Sequence, residues 1–290
     1  FGATGAYYSN FLGSSAGNGA TGAYESNFLG QNAGAGATNA NNSNFFGYYT
    51  GYNATNANNS NFFGYQAGNG ATNASYSNFL GPNAGNGATG ASYSNFLGPN
   101  AGYGATGAYN SNFLGNSAGY NATSAYQSNF FGYQSGRSAT NAANSNFFGQ
   151  NAGRQSTNAS NSTFIGKNAG YNDLVNNTLD TDDFSILIGN NTSTGGFSNS
   201  IALGGYATNT ASNQFMIGSV TRPITSMVLT GDYSGGSCTF AVGGMSCSSD
   251  ERLKTNIEDL QGSTLDTILN IRTVNYNWNS SSDSPKQVGF

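Results

Sequence analysis

The sequence predicts an all-β protein, a repetitive β-solenoid of 17-residue coils followed by 14–15-residue coils, homotrimeric, with a short α+β segment at its C-terminal end. Three observations carry that reading. Ser-Asn-Phe begins at Ser9 and recurs every 17 residues to Ser145, with Ser162-Thr163-Phe164 as a tenth copy. Two glycines hold fixed places in every copy, from Gly13 to Gly166 and from Gly17 to Gly170. Charged residues make up 7% of the chain, and between Phe1 and Gly136 Glu25 is the single charge.

Register is the decisive feature. Thr recurs from Thr4 to Thr157, and Ala two positions later from Ala6 to Ala159, without an insertion. Low-complexity disorder preserves composition but has no reason to hold a period, so copies that stay in step form a stack in which each meets its neighbours. Seventeen residues are too few for a helix pair, and two fixed glycines per copy oppose helix. Short runs such as Asn-Phe-Leu bounded by Gly suit strands and tight corners, with Gly13 and Gly17 at positions that need positive φ. At ~4.8 Å per coil, ten coils make a rod of roughly 48 Å, along which Thr, Asn, Ala and Phe stack as ladders.

The paired apolar residues predict assembly. Successive side chains of a strand point to opposite faces, so Phe11 and Leu12 do not both enter one interior, nor do Phe45 and Phe46. One Phe, with Ala and Thr, is expected to fill each coil. The other large residue then forms an apolar stripe along the rod, too extensive to leave in water. Self-association is expected, and a threefold axis lets three stripes share one core.

Residues 1–170 are thus ten long coils, and residues 171–218 shorter ones. The latter are marked by Ser185-Ile186-Leu187-Ile188-Gly189, Ser200-Ile201-Ala202-Leu203-Gly204 and Phe215-Met216-Ile217-Gly218. An insertion bearing Asp180, Asp182 and Asp183 precedes them and reads as a solvated loop or a cation site. Residues 219–248, rich in Thr, Ser and Gly, read as β-hairpins or an intertwined β-stalk. Cys238 and Cys247 could bridge each other, bridge neighbouring subunits or stay reduced, and two thiols fix no compartment. Beyond Ser248 the composition becomes ordinary. A helix is expected over 263–271, with Ser263 as N-cap and Leu265, Ile268 and Leu269 on one face, then strands over 274–278 and from Lys286.

Composition excludes several function classes. Without His there is no Ser-His-Asp triad, no Cys-His dyad and no imidazole zinc site. A formal charge of −4 with no basic cluster argues against nucleic acid, and no run of 18 apolar residues predicts a membrane-spanning helix. Glu25 is the single carboxylate among ten coils, so paired-carboxylate glycoside hydrolysis has no candidates there, and repeats without Asp do not suit calcium. No cofactor and no metal are expected.

Three resemblances add to this reading. Asn199-Ser200-Ile201-Ala202-Leu203-Gly204-Gly205-Tyr206-Ala207 resembles the coil motif of YadA-type heads in trimeric autotransporter adhesins, which are trimers of left-handed parallel β-rolls. Copies such as Ser60-Asn61-Phe62-Phe63-Gly64-Tyr65-Gln66-Ala67-Gly68 resemble the Asn-Thr-rich repeats common in phage tail fibres. More specifically, Ser248-Ser249-Asp250-Glu251-Arg252-Leu253-Lys254-Thr255-Asn256-Ile257 resembles the start of the intramolecular chaperone domain of endosialidase tail spikes, other phage fibres and the myelin regulatory factor. The likeness continues through Leu269-Asn270-Ile271-Arg272-Thr273-Val274 to Tyr276, Trp278 and Gln287-Val288-Gly289-Phe290. That domain trimerises, drives assembly of the upstream fibre and is released by self-cleavage. The resemblance implies Ser249 as nucleophile and Lys254 as base, with the scissile bond between Ser248 and Ser249. The bland alternative has Lys254 pairing with Asp250 or Glu251 on a solvated surface. The family domain is longer, so an incomplete domain is expected here, as are further coils or an attachment domain before Phe1, which lies in mid-register.

The leading expectation is a homotrimeric extracellular fibre on a phage tail or bacterial surface, partnered with itself and able to join end to end. A second is an adhesin that binds a host-surface glycan or receptor through Tyr7, Tyr48, Tyr65, Gln66 and Tyr133. A third is ice binding through the Thr ladder, weakened by having one Thr per coil and testable by thermal hysteresis.

Overall fold

A computed structural model describes residues 2–175, 184–230, 237–241, 244–247, 274–276 and 287–289. The chain divides into two units, Phe1–Ile224 and Thr225–Phe290. The first is a parallel β-solenoid, and no helix occurs among the described residues. Ten three-residue strands, β1 (Asn10–Leu12) to β10 (Thr163–Ile165), are followed by β11 (Ile186–Ile188), β12 (Ile201–Leu203) and β13 (Phe215–Ile217). All thirteen lie in one sheet in chain order.

Register follows the repeat, because like residues are partners: Asn10 faces Asn27, Phe11 faces Phe28, and Leu12 faces Leu29. Between strands the chain turns at left-handed residues, with Gly13 at φ 134° and Gly17 at 65°. The first corner brings successive coils so close that a methyl on Gly81 would lie 2.8 Å from the carbonyl carbon of Gly98. Only glycine meets both demands there.

The interior is a column of identical contacts. From Phe28 to Phe164 the strand-centre phenylalanines are fully buried, and their rings stack 4.6–4.8 Å apart within 6° of parallel. Burying one such side chain contributes about 1.5–3 kcal/mol. Alanines fill the remaining space: Ala20, Ala23 and Ala33 are fully buried in one coil. The expected third component is corrected. Thr21 is exposed and bridges Thr4 and Thr38 through its backbone, while Ser26 and its equivalents are the buried hydroxyls. The reason lies in Ala20-Thr21-Gly22-Ala23. Alternation turns Thr21 out after Ala20, and the left-handed Gly22 (φ 58°) reverses the chain so that Ala23 points in again. Ser26 fits inside because its hydroxyl donates to the carbonyl of Ala40 at 2.6 Å and accepts from the N–H of Ser43 at 3.1 Å.

The shorter coils continue the sheet with different contents. Leu187 and Ala202 occupy the position of the phenylalanines and are fully buried, with Met216 packed partly against them. The buried Asp173 carboxylate accepts hydrogen bonds from the N–H (2.6 Å) and hydroxyl (3.0 Å) of Thr194. Asn209 donates to the carbonyls of Ile201 (3.2 Å) and Gln214 (2.9 Å).

In the second unit β14 (Ser226–Thr230), β15 (Ser237–Ala241) and β16 (Gly244–Cys247) form an antiparallel sheet in which Cys238 and Cys247 are register partners. A separate pair joins β17 (Val274–Tyr276) to β18 (Gln287–Gly289). The helix expected over 263–271 lies outside the described residues.

Candidate functional site

Two surfaces of the solenoid and one stretch of sequence are the candidates. The first surface is the outer face of the strands. Alternation inside each Asn-Phe-Leu or Asn-Phe-Phe strand sends the central Phe inward and its two neighbours outward. Asn therefore forms one outer row and Leu or Phe the other. In the Asn row each side-chain amide donates to the next, from Asn10 to Asn27 at 2.8 Å through to Asn129 and Asn146 at 2.8 Å. Beside it the apolar row runs Leu12, Leu29, Phe46, Phe63, Leu80, Leu97, Leu114, Phe131, Phe148 and Ile165, then Ile188, Leu203 and Ile217. Phe63, Leu80, Leu97, Leu114 and Phe131 line a shallow groove with Asn61, Asn78, Asn95 and Asn112. Leu12 (69%), Phe46 (38%) and Ile165 (40%) are the openly exposed members among the ten long coils.

The second surface is the corners, where tyrosine pairs stack in neighbouring coils: Tyr48–Tyr65 at 5.3 Å, Tyr76–Tyr93 at 4.9 Å, Tyr103–Tyr120 at 5.0 Å and Tyr109–Tyr126 at 5.2 Å. Stacking along the rod spends the ring faces on each other. A sugar ring can pack only on an outer face left uncovered at the end of a pair, and the edges are left to hydrogen-bond. Tyr7 and Tyr133 are exposed, and Gln66 and Gln134 donate to the phenol oxygens of Tyr65 (3.4 Å) and Tyr133 (3.0 Å). The negative charge of Glu25, aided by desolvation and a hydrogen bond, raises the Tyr24 phenol above its usual value. Desolvation, then Tyr49 and Tyr65, raises Tyr48.

Arginines enter the same ladders. Arg137 lies over the ring of Tyr120 at 5.3 Å and Arg154 over Tyr171 at 5.4 Å; outside the ladders, Arg222 lies over Tyr206 at 5.0 Å. Composition alone hid this feature. The signal available was the 17-residue interval from Tyr103 through Tyr120, Arg137 and Arg154 to Tyr171.

The predicted cleavage residues, Ser249 and Lys254, and the acidic group Asp180, Asp182 and Asp183 lie outside the described residues. Among the described residues no group of three or more His, Cys, Asp or Glu could hold a metal ion, and no helix is long and apolar enough to cross a membrane. Residues 249–290 match the family model described as the chaperone of endosialidase, so the likeness read from the Ser-Asp-Glu-Arg-Leu-Lys run holds over that whole segment. No curated protein and no solved structure matches the chain.

Proposed function

We propose that this chain is a structural fibre protein, tail-fibre-like and extracellular, in which three copies align their apolar stripes and a C-terminal chaperone segment drives that assembly. The observation that carries the reading is the match of residues 249–290 to the chaperone of endosialidase, following a solenoid with an apolar row on the outer face of its sheet. A chaperone appended to a repetitive fibre answers a physical difficulty. Ten near-identical coils can pair in many shifted registers, and an end domain that trimerises first fixes which coil meets which.

The finer part of the proposal is release by self-cleavage. Neutral Lys254 takes the Ser249 hydroxyl proton, Oγ attacks the Ser248 carbonyl carbon, and the C–N bond breaks as the amine of Ser249 takes a proton back from Lys254. The resulting ester between Ser248 and Ser249 is hydrolysed by one water, leaving a Ser248 carboxylate and a free Ser249 hydroxyl. A Lys amine acts as base only when desolvation lowers its pKa, so the step belongs to the folded, assembled state. Mass spectrometry of the purified chain should show two fragments divided between Ser248 and Ser249, with Ser249→Ala and Lys254→Ala intact and still trimeric. Cleavage at that bond in Ser249→Ala removes Ser249 as nucleophile, and a wild-type trimer that stays whole removes the cleavage step.

A further inference from the structure

We propose that Arg137 and Arg154 form a binding site for an oxyanion carried on an acidic polysaccharide, a carboxylate or a sulfate ester. This site depends neither on self-cleavage nor on the number of chains in the fibre.

Charge is the first reason. Of the first 170 residues only Glu25, Arg137, Arg154 and Lys167 are charged, so the three cations fall in three successive copies of the repeat. Arg137 and Arg154 occupy the same position in neighbouring coils, about one strand spacing (~4.8 Å) apart. Like charges facing each other across a ladder destabilise it. Neither guanidinium has a carboxylate partner among the described residues.

Geometry is the second. Each guanidinium spends one face on a tyrosine, Arg137 on Tyr120 and Arg154 on Tyr171, so the pair is held between two rings. Face stacking leaves the in-plane N–H groups as donors, and two planar forks one coil apart suit an oxyanion that accepts from both. The Arg154 Nε is buried without a hydrogen-bond partner, as is the Asn151 Oδ1 of the same turn, whose carbonyl accepts from the Arg154 N–H at 3.1 Å. That Nε is closed to solvent, so the terminal N–H groups of the two guanidiniums are the donors that remain for a ligand.

The surroundings choose the carrier. The Gln134 carbonyl accepts from the Arg137 N–H at 3.2 Å, and the Gln155 N–H donates to the Arg137 carbonyl at 2.8 Å. Those backbone groups are spent within the fold, and the side chains at the corner that reach solvent, Gln134, Ser138 and Gln155, are amides and a hydroxyl, the complement of a hydroxyl-rich chain.

Affinity electrophoresis of the full chain, at low salt, in gels carrying polygalacturonate, dextran sulfate or neutral dextran, tests the proposal. Wild type should be retarded by at least one acidic polymer and not by dextran. Arg137→Gln with Arg154→Gln should lose about tenfold in affinity per arginine, whereas Lys167→Gln should change it less than about threefold. Arg137→Tyr with Arg154→Tyr extends the tyrosine ladder, so it should keep the fold and still lose binding. No retardation by either acidic polymer, or equal retardation of both double variants and wild type, overturns the proposal. Competition by inorganic sulfate as strong, per charge, as by the polymer would assign the site to an adventitious ion only and likewise overturn it.

Discussion

The ten long coils and the coils of β11–β13 extend one sheet by two different means. In the long coils every interior contact is a copy of the one beneath it: Phe on Phe at 4.6–4.8 Å, Ser hydroxyl to the next coil's alanine carbonyl, Asn amide to Asn amide. In the short coils the phenylalanine column gives way to Leu187, Ala202 and Met216, and singular hydrogen bonds, accepted by Asp173 and donated by Asn209, organise the turns. A strictly repeated coil gains from self-complementary stacking and has nothing to mark its register. A varied coil has register written into individual contacts. Interior contacts therefore distinguish position along the rod at its β11–β13 end and not among the ten long coils, which on the proposed function is the condition an assembly chaperone would serve.

The sharpest way to break this contrast is to strike the same long coil inside and outside. Phe96→Asp strands a carboxylate between the Phe79 and Phe113 rings and should cost several kcal/mol, read as a large fall in the denaturant midpoint. Leu97→Asp, on the outer row, should cost a single chain about 1 kcal/mol or less and instead abolish self-association, read by sedimentation. A Leu97→Asp protein with unchanged oligomeric state would show that the stripe is not the interface.

Glycine corners come next. Gly102, at φ 63°, has the Phe96 ring directly against the place a methyl would occupy, so Gly102→Ala should cost about 3 kcal/mol from left-handed strain plus overpacking. Gly87, at φ 66° with open space around it, should cost about 1 kcal/mol on the same substitution. Equal costs would mean that the ring, and not the backbone, yields.

At the joint between the two kinds of coil, Asp173→Ala leaves the Thr194 N–H without its acceptor and should cost about 2 kcal/mol, while Asp173→Asn, which keeps one acceptor oxygen, should cost about half that. Differential scanning calorimetry is the readout, and loss confined to the short coils would appear as a separate lower transition. The smallest effect is expected for Asn95→Ala, which removes one amide from a partly buried ladder between Asn78 and Asn112, about 1 kcal/mol by thermal unfolding.

The solenoid was legible in the sequence because strict periodicity allows few architectures. Ser9 to Ser162, Gly13 to Gly166 and Gly17 to Gly170 fix coil length, corner positions and parallel in-register pairing, and the Phe-Leu alternation separates an inner from an outer row. The likeness of residues 249–290 to the chaperone of endosialidase was legible for a different reason, since a dense run of specific residue types survives without any structural context. Only the tertiary structure decided which small polar residue goes inside. Thr21 and Ser26 are interchangeable on grounds of size, and the left-handed turn at Gly22 together with the Ala40 carbonyl places Ser26 in the core. It also decided that stacked tyrosines present edges in place of faces, and that Arg137 and Arg154 lie between Tyr120 and Tyr171. Residues 17 apart are distant along the chain, and it is the stacking of coils one strand spacing apart that makes them neighbours.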